Sequence, residues 1–341
     1  LLAALLLAGA VGCATVRGSD PAVIQTNAGE LRLEFVEWHE ETSDLLQRAV
    51  PEAATVLERW GGLRDPVRIT VVNSHWELEE MVGRPLPGIS AWARRGQVLL
   101  SDPRWWPVPP HAQHDPALAA VIRRTQVTGL LKHELTHSLM FQRAGDPKAD
   151  PRDRIPFWFR EGMATVTARE GSQWPPPESL SQWLVKNPDV DLLRDGVKLS
   201  RTEPRIAYGA AYNAFDFLVR RYGDATVLRI LDGMRVREGF PDAFRDAAGV
   251  SVESFGTDFR RYLGWRGYLP AARQPSWPRS QLPLRLTIGI VFTSFAVHLV
   301  VLMPSAVQEK HAPKRLCRFA LQRSPSQCLD SVRLSRSKTR L

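Results

Sequence analysis

His133-Glu134-Leu135-Thr136-His137 sets two imidazoles four residues apart, with a carboxylate beside the first. On a helix, residues four apart lie one above the other on the same face. Both rings can therefore reach one metal ion. Glu134, on the same turn, can take a proton from a water activated there. The chemistry such a pentapeptide serves is metal-assisted hydrolysis, with zinc as the ion.

The surrounding residues predict the helix that this spacing needs. Asp115-Pro116 reads as an N-cap followed by proline at the first helical position, and Gly145 as a stop, with Arg143 near the last turn. Leu130, His133, Glu134, His137 and Phe141 form one stripe, and Leu131, Leu135, Leu139 and Gln142 another. Turning two histidines and a glutamate inward unpaired costs several kcal/mol or more, which a metal offsets. Tetrahedral zinc takes a third protein ligand and keeps one position for water. Glu161 follows His137 by 24 residues, in Trp158-Phe159-Arg160-Glu161-Gly162-Met163-Ala164. A short helix starting near Arg160 puts Glu161 in its first turn. The small Gly162 and Ala164 let it pack closely on the histidine helix. No H-x-x-G-x-x-H extension follows the pentapeptide, so a third histidine of that type is absent.

H-E-L-T-H followed by W-F-R-E-G-M-A resembles the gluzincin branch of zinc metallopeptidases. More narrowly, it is similar to the bacterial peptidase-MA-like domains, whose pattern is H-E-x-x-H, a Pro-aromatic loop, then W-x-x-E-G-x-A. The resemblance covers roughly Val67 to Leu263. It continues through Ala207-Tyr208-Gly209-Ala210-Ala211-Tyr212 and Tyr222-Gly223-Asp224. It implies zinc held by His133, His137 and Glu161, Glu134 as general base, and peptide-bond hydrolysis without naming a target. A tyrosine of the helix after the glutamate would hydrogen-bond the oxyanion. The choice of Tyr208 over Tyr212 rests on the resemblance alone, because one helical face carries both. The implied architecture is zincin-like α+β: a small N-terminal sheet packed on the active-site helix, then a mainly helical C-terminal subdomain.

The local pattern is compatible with that order. Leu31, Leu33 and Phe35 alternate as in a strand. Thr42 to Trp60 reads as an amphipathic helix capped by Thr42 or Ser43 and stopped by Gly61-Gly62. Val67 to Val72 is a strand, His75 to Val82 a short helix, and Ala91 to Arg94 and Gln97 to Ser101 further strands. A sheet edge can take an extended peptide by strand addition. His111 and His114 fall in a Pro-rich loop and read as loop residues. Helices follow at Ala207–Tyr222, Ala225–Met234, Pro241–Ala248 and Val252–Leu263.

The net charge of +9 is misleading. Residues 305–341 carry nine Lys/Arg and two Asp/Glu, leaving 36 against 34 in the rest. The near-neutral body has no basic stripe interleaved with aromatics, which argues against nucleic acid as a partner. Leu1 to Val11 is an apolar export segment. Ala10-Val11-Gly12-Cys13 resembles a bacterial lipobox, in which Cys13 receives lipid; an ordinary secretory signal with an incidental cysteine is the other reading. Between Cys13 and Cys317 there is no cysteine, hence no disulfide framework.

The expected organisation is a signal and lipobox segment 1–13, a linker 14–30, a metallopeptidase domain 31–269, a Pro-rich linker 270–285, an apolar run 286–303 and a basic disordered tail 304–341. The run reaches ~27 Å as a helix, enough to cross a bilayer, although a buried helix also fits. The expected location is the bacterial cell envelope, exported and lipid-anchored on the periplasmic side, with a peptide or protein as substrate. The alternative is a non-catalytic, membrane-anchored lipoprotein with a peptide- or cell-wall-binding groove. Glu134 separates the two, since a structural zinc site has no use for a base.

Overall fold

The computed structural model describes residues 21–145, 154–236 and 239–268. The expected export segment with Cys13, residues 146–153, the apolar run 286–303 and the basic tail lie outside the described residues. Among the described residues no helix is long and apolar enough to cross a membrane.

The architecture is mixed α+β with one five-stranded sheet. Strands β1 (Ala22–Thr26), β2 (Gly29–Phe35), β3 (Val67–Val72), β4 (Ala91–Arg94) and β5 (Gln97–Ser101) lie in the order β1-β2-β3-β5-β4. β2, β3 and β5 run parallel, and the two edges β1 and β4 are antiparallel to their neighbours. Strand β1 falls in the stretch 14–30 expected to be linker. Its Ala22 and Ile24 pack toward the core while Val23 and Gln25 face out, an alternation too short to stand out from the sequence.

Helix α1 (Glu40–Ala54) covers one face of the sheet. It begins two residues before the expected Thr42, after His39, without a side-chain cap, and its last turn tightens into a 3-10 helix, Thr55–Trp60. Thr42 is no cap because its hydroxyl is used elsewhere. It donates to Asp102 Oδ1 at 2.9 Å, an oxygen that also accepts from Arg104 N at 2.9 Å. Arg104 Nε reaches the other oxygen of Asp102 at 2.8 Å. Asp102, 2% exposed, therefore has both oxygens satisfied and locks the exit of β5 to the first turn of α1. Burial works against its charge, yet these hydrogen bonds hold its pKa below the usual carboxylate value. Helix α2 (His75–Val82) covers the other face, where Val72, Leu78, Leu86 and Leu99 form a small second core.

Helix α3 (Pro116–Ala144) has 29 residues, so it is about 43 Å long. Asp115 caps it by accepting from Leu118 N at 3.0 Å. At its far end Gln142, buried, accepts from Arg64 N at 2.8 Å and Asp65 N at 3.1 Å and donates to Asp65 O at 2.8 Å. Gln142 thus treats the residues before β3 as a strand partner does. Ser138 donates to Arg94 O at 3.1 Å. Gly145 stops the helix in an extended conformation, φ −96°, and a Cβ there would run into the Phe141 carbonyl.

The remaining elements are helical: α4 (Phe157–Thr167), α5 (Pro177–Lys186), α6 (Gly196–Thr202), α7 (Pro204–Tyr222), α8 (Asp224–Gly233), α9 (Phe240–Ala248) and α10 (Val252–Tyr268). Trp158, Phe159, Phe215, Phe240, Phe244 and Phe255 form an aromatic core among them. Helix α4 starts at Phe157, three residues before the expected Arg160, because burial of these rings overrides the loop-like look of a Pro-aromatic run. Glu161 consequently lies in the second turn, away from the helix dipole's positive end. Gly162 is also not what brings α4 to α3. Its bare Cα faces α7, where a Cβ would lie 2.6 Å from Phe215 Cβ and collide with the Ala211 carbonyl.

Candidate metal centre

Helix α3 presents His133 and His137 one turn apart, with ring centroids 4.9 Å from each other. Helix α4 brings Glu161 against both. His133 Nε2 is 3.5 Å and His137 Nε2 3.6 Å from the same oxygen, Glu161 Oε2. The three donor atoms lie within 4.8 Å of one another. Contacts of 3.5–3.6 Å are long for hydrogen bonds. They suit three donors that surround an ion, since ligands ~2.1 Å from a tetrahedral zinc stand roughly 3.4 Å apart. Two imidazole nitrogens and a carboxylate oxygen are also a donor set that zinc accepts.

Each side chain is held from behind, though unequally. Arg160 Nε donates to Glu161 Oε1 at 3.0 Å and turns the other oxygen toward the histidines. His133 Nδ1 faces Glu170 Oε1 at 3.3 Å. His137 is stacked on Phe141, with centroids 5.9 Å apart, and its Nδ1 is buried without a partner. Glu134 is 9% exposed and, among the described residues, has neither a hydrogen-bond nor an ion-pair partner.

The charges are strongly coupled. Burial pushes His133 down, but the carboxylates of Glu170 and Glu161 outweigh it and hold its pKa well above the ordinary histidine value. Burial dominates at His137 and leaves it below that value. Burial opposes the charge on Glu161, yet His137, His133 and Arg160 keep it well below the usual carboxylate range. The two ring nitrogens of His133 each face a carboxylate, Nδ1 that of Glu170 at 3.3 Å and Nε2 that of Glu161 at 3.5 Å.

Glu170 was not marked by any sequence motif. It is placed by the way α4 ends. Arg169 adopts a left-handed conformation, φ 61°, while Glu170 N bonds Thr165 O at 2.9 Å and Arg169 N bonds Val166 O at 3.2 Å. This is a Schellman stop with arginine where glycine is usual. A helix end at Ala168 is a weak sequence signal here, and the pairing with residue 133 is non-local, so residue type alone could not have found it.

The two tyrosines of α7 separate. Tyr208 stacks on Trp174 at 5.1 Å and meets Phe157 edge-on at 5.3 Å. Burial, reinforced by Glu161, pushes its phenol well above the ordinary tyrosine pKa. Tyr212 instead lines a hollow of about 200 Å³ with Gly171, Pro175, Asp216 and Arg220, and after burial its main influence is Asp216. Of the two tyrosines, Tyr208 is the one whose phenol is influenced by Glu161. His111 and His114 are exposed and take no part in it.

No protein-family model matches the chain, and no curated protein matches it. Among solved structures, Legionella pneumophila aminopeptidase A in complex with aspartic acid is similar at TM-score 0.41 and 16% identity over 71% of this chain. An M1 zinc metallopeptidase from Deinococcus radiodurans follows at TM-score 0.36 and 17% identity over 74%. An aminopeptidase N family protein from Idiomarina loihiensis has TM-score 0.31 and 11% identity over 72%. The chain spans 28%, 52% and 41% of the length of these three proteins. All three are named as peptidases. Likenesses of this size carry no weight beside the geometry of the site.

Proposed function

We propose that the chain is a zinc-dependent peptidase that hydrolyses peptide bonds in peptide or protein substrates. His133, His137 and Glu161 hold the ion, and Glu134 is the general base. One observation carries the reading: three donors converge within 4.8 Å while Glu134, on the same turn of α3, is buried with no hydrogen-bond or ion-pair partner among the described residues. When bound, zinc supplies a Lewis acid that makes a water acidic enough to lose its proton near neutral pH. Glu134 receives that proton and passes it to the leaving amine. Glu170 fixes the ring of His133, and Arg160 turns Glu161. Tyr208, kept protonated by its raised pKa, donates to the carbonyl oxygen as that atom gains charge. The enzyme is exported and held by lipid on Cys13 at the periplasmic side of a bacterial membrane.

The test is hydrolysis of casein by zinc-loaded protein, beside Glu134→Gln. The variant keeps the shape of the base but accepts no proton. It should retain about one zinc per chain and lose on the order of a hundredfold or more in turnover. A zinc-loaded wild type that cuts no peptide bond, or a Glu134→Gln protein at full rate, overturns the proposal.

A further inference from the structure

Three adjacent parallel strands end in the same way. β2 ends at Phe35 and Trp38 follows; β3 ends at Val72 and Trp76 follows; β5 ends at Ser101 and Trp105 follows. These tryptophans are 52%, 67% and 71% exposed. With strands about 4.8 Å apart, they form a row across the carboxyl end of the sheet. The first turns of α3 reach the same end, where Gln126 bonds Pro107 O at 3.3 Å and Arg123 approaches Glu41 at 3.8 Å. There α3 adds the exposed Leu118 and Val121. Large apolar side chains gathered on one exposed end mark a surface that meets a partner.

Two observations identify the partner. The first is the point where the chain enters the fold. β1 is antiparallel to β2 with Ala22 opposite Leu33, so the N-terminal segment joins the body at this same end. Eight peptide links lead from Cys13 to Pro21. Fully extended they reach at most about 28 Å, so a lipid on Cys13 would hold this end close to the bilayer. The second is the side-chain chemistry. Tryptophan has an apolar body and a polar N–H, and it concentrates at the level of lipid headgroups. Trp105 is also held in place. Arg104, fixed by Asp102, lies 5.6 Å from the centre of the Trp105 ring.

We propose that the carboxyl end of the sheet, with Trp38, Trp76 and Trp105, rests in the headgroup layer of the membrane that carries the Cys13 lipid. The proposal rests on lipidation of Cys13 and is independent of the peptidase chemistry. Its test uses the full chain on vesicles of phosphatidylethanolamine and phosphatidylglycerol, some with brominated acyl chains that quench tryptophan. Mass analysis reports the lipid on Cys13 separately. The three tryptophans are among 11 in the chain, so brominated vesicles should quench up to about a quarter of the emission through them. The Trp38→Ala/Trp76→Ala/Trp105→Ala protein should still float with the vesicles but lose at least half of the wild-type quenching. Trp265→Ala, at an exposed position on α10, should leave it unchanged. Circular dichroism and thermal unfolding check that the variants are folded. Undiminished quenching in the triple variant, or none in a wild type that floats, overturns the proposal. So does protection of the row by soluble cell-wall oligosaccharide in place of lipid.

Discussion

Two buried polar clusters in this protein are built to opposite ends. Around Asp102 each carboxylate oxygen meets a donor, and the group locks β5 to α1. Around His133, three carboxylates crowd two histidines, and among the described residues Glu134 has no hydrogen-bond or ion-pair partner and His137 Nδ1 is orphaned. A cluster that serves the fold closes on itself. One that serves chemistry leaves donors and acceptors unmatched, at a cost in stability that a ligand recovers. Removing single members from each cluster should therefore give different losses: function from one, stability from the other.

The largest effect is expected at His137. His137→Ala removes one of the three proposed ligands, so zinc measured on purified protein should fall to background, and the proposed peptidase activity with it. Full zinc in that variant would falsify the ligand set. Glu170→Gln comes next. It leaves all three ligands in place but weakens the grip on His133, so zinc affinity measured by chelator competition should drop by roughly 10–100-fold. The pH dependence carries a sign. His133 has a raised pKa in the zinc-free protein and must lose its proton to bind metal. Below that pKa, binding releases a proton and affinity rises with pH, levelling off above it. Glu170→Gln should move that levelling to lower pH. An unchanged profile would mean that Glu170 does not set the protonation of His133.

Asp102→Asn should behave the other way, keeping zinc while losing stability. A charge-assisted, buried acceptor is weakened, so denaturant unfolding should show a loss of about 2 kcal/mol. Because its pKa is lower in the folded state, wild-type Asp102 contributes stability above the unfolded carboxylate pKa. That contribution disappears as pH falls through the folded value. The variant should lack this part of the acid sensitivity. The smallest effect is at Arg169, whose left-handed backbone favours glycine. Arg169→Gly relieves strain but gains freedom when unfolded, so a stabilisation below about 1 kcal/mol is expected, read as a small rise in Tm.

What could be read from the residues follows the range of the interactions involved. The caps of α3, strands β3, β4 and β5, and the one-turn spacing of His133 and His137 depend on neighbours in sequence and are visible there. Thr42 looked like a cap because a threonine before an apolar run usually is one; its partner Asp102 is 60 residues away. Gly162 was assigned to the wrong neighbour for the same reason, since smallness shows that something approaches closely but not what. Glu170 acts on a residue 37 positions earlier, through a helix stop made by an arginine. Tyr208 and Tyr212 share a helical face in the sequence, and only the packing separates them, the first against Trp174 and Phe157 and the second in a hollow with Asp216.

The fastening of α3 bears on how the molecule wears out. Gln142 is tied to the residues before β3, Ser138 to the end of β4, and Arg143 to Asp232 of α8 at 3.3 Å. The turn with the two histidines lies immediately before these ties, so it cannot fray without parting the sheet from the helical half. Such a fold has no worn but folded state to pass through. On heating, each molecule should stay fully competent until its whole fold gives way, and the half-life of activity should equal that of the native state.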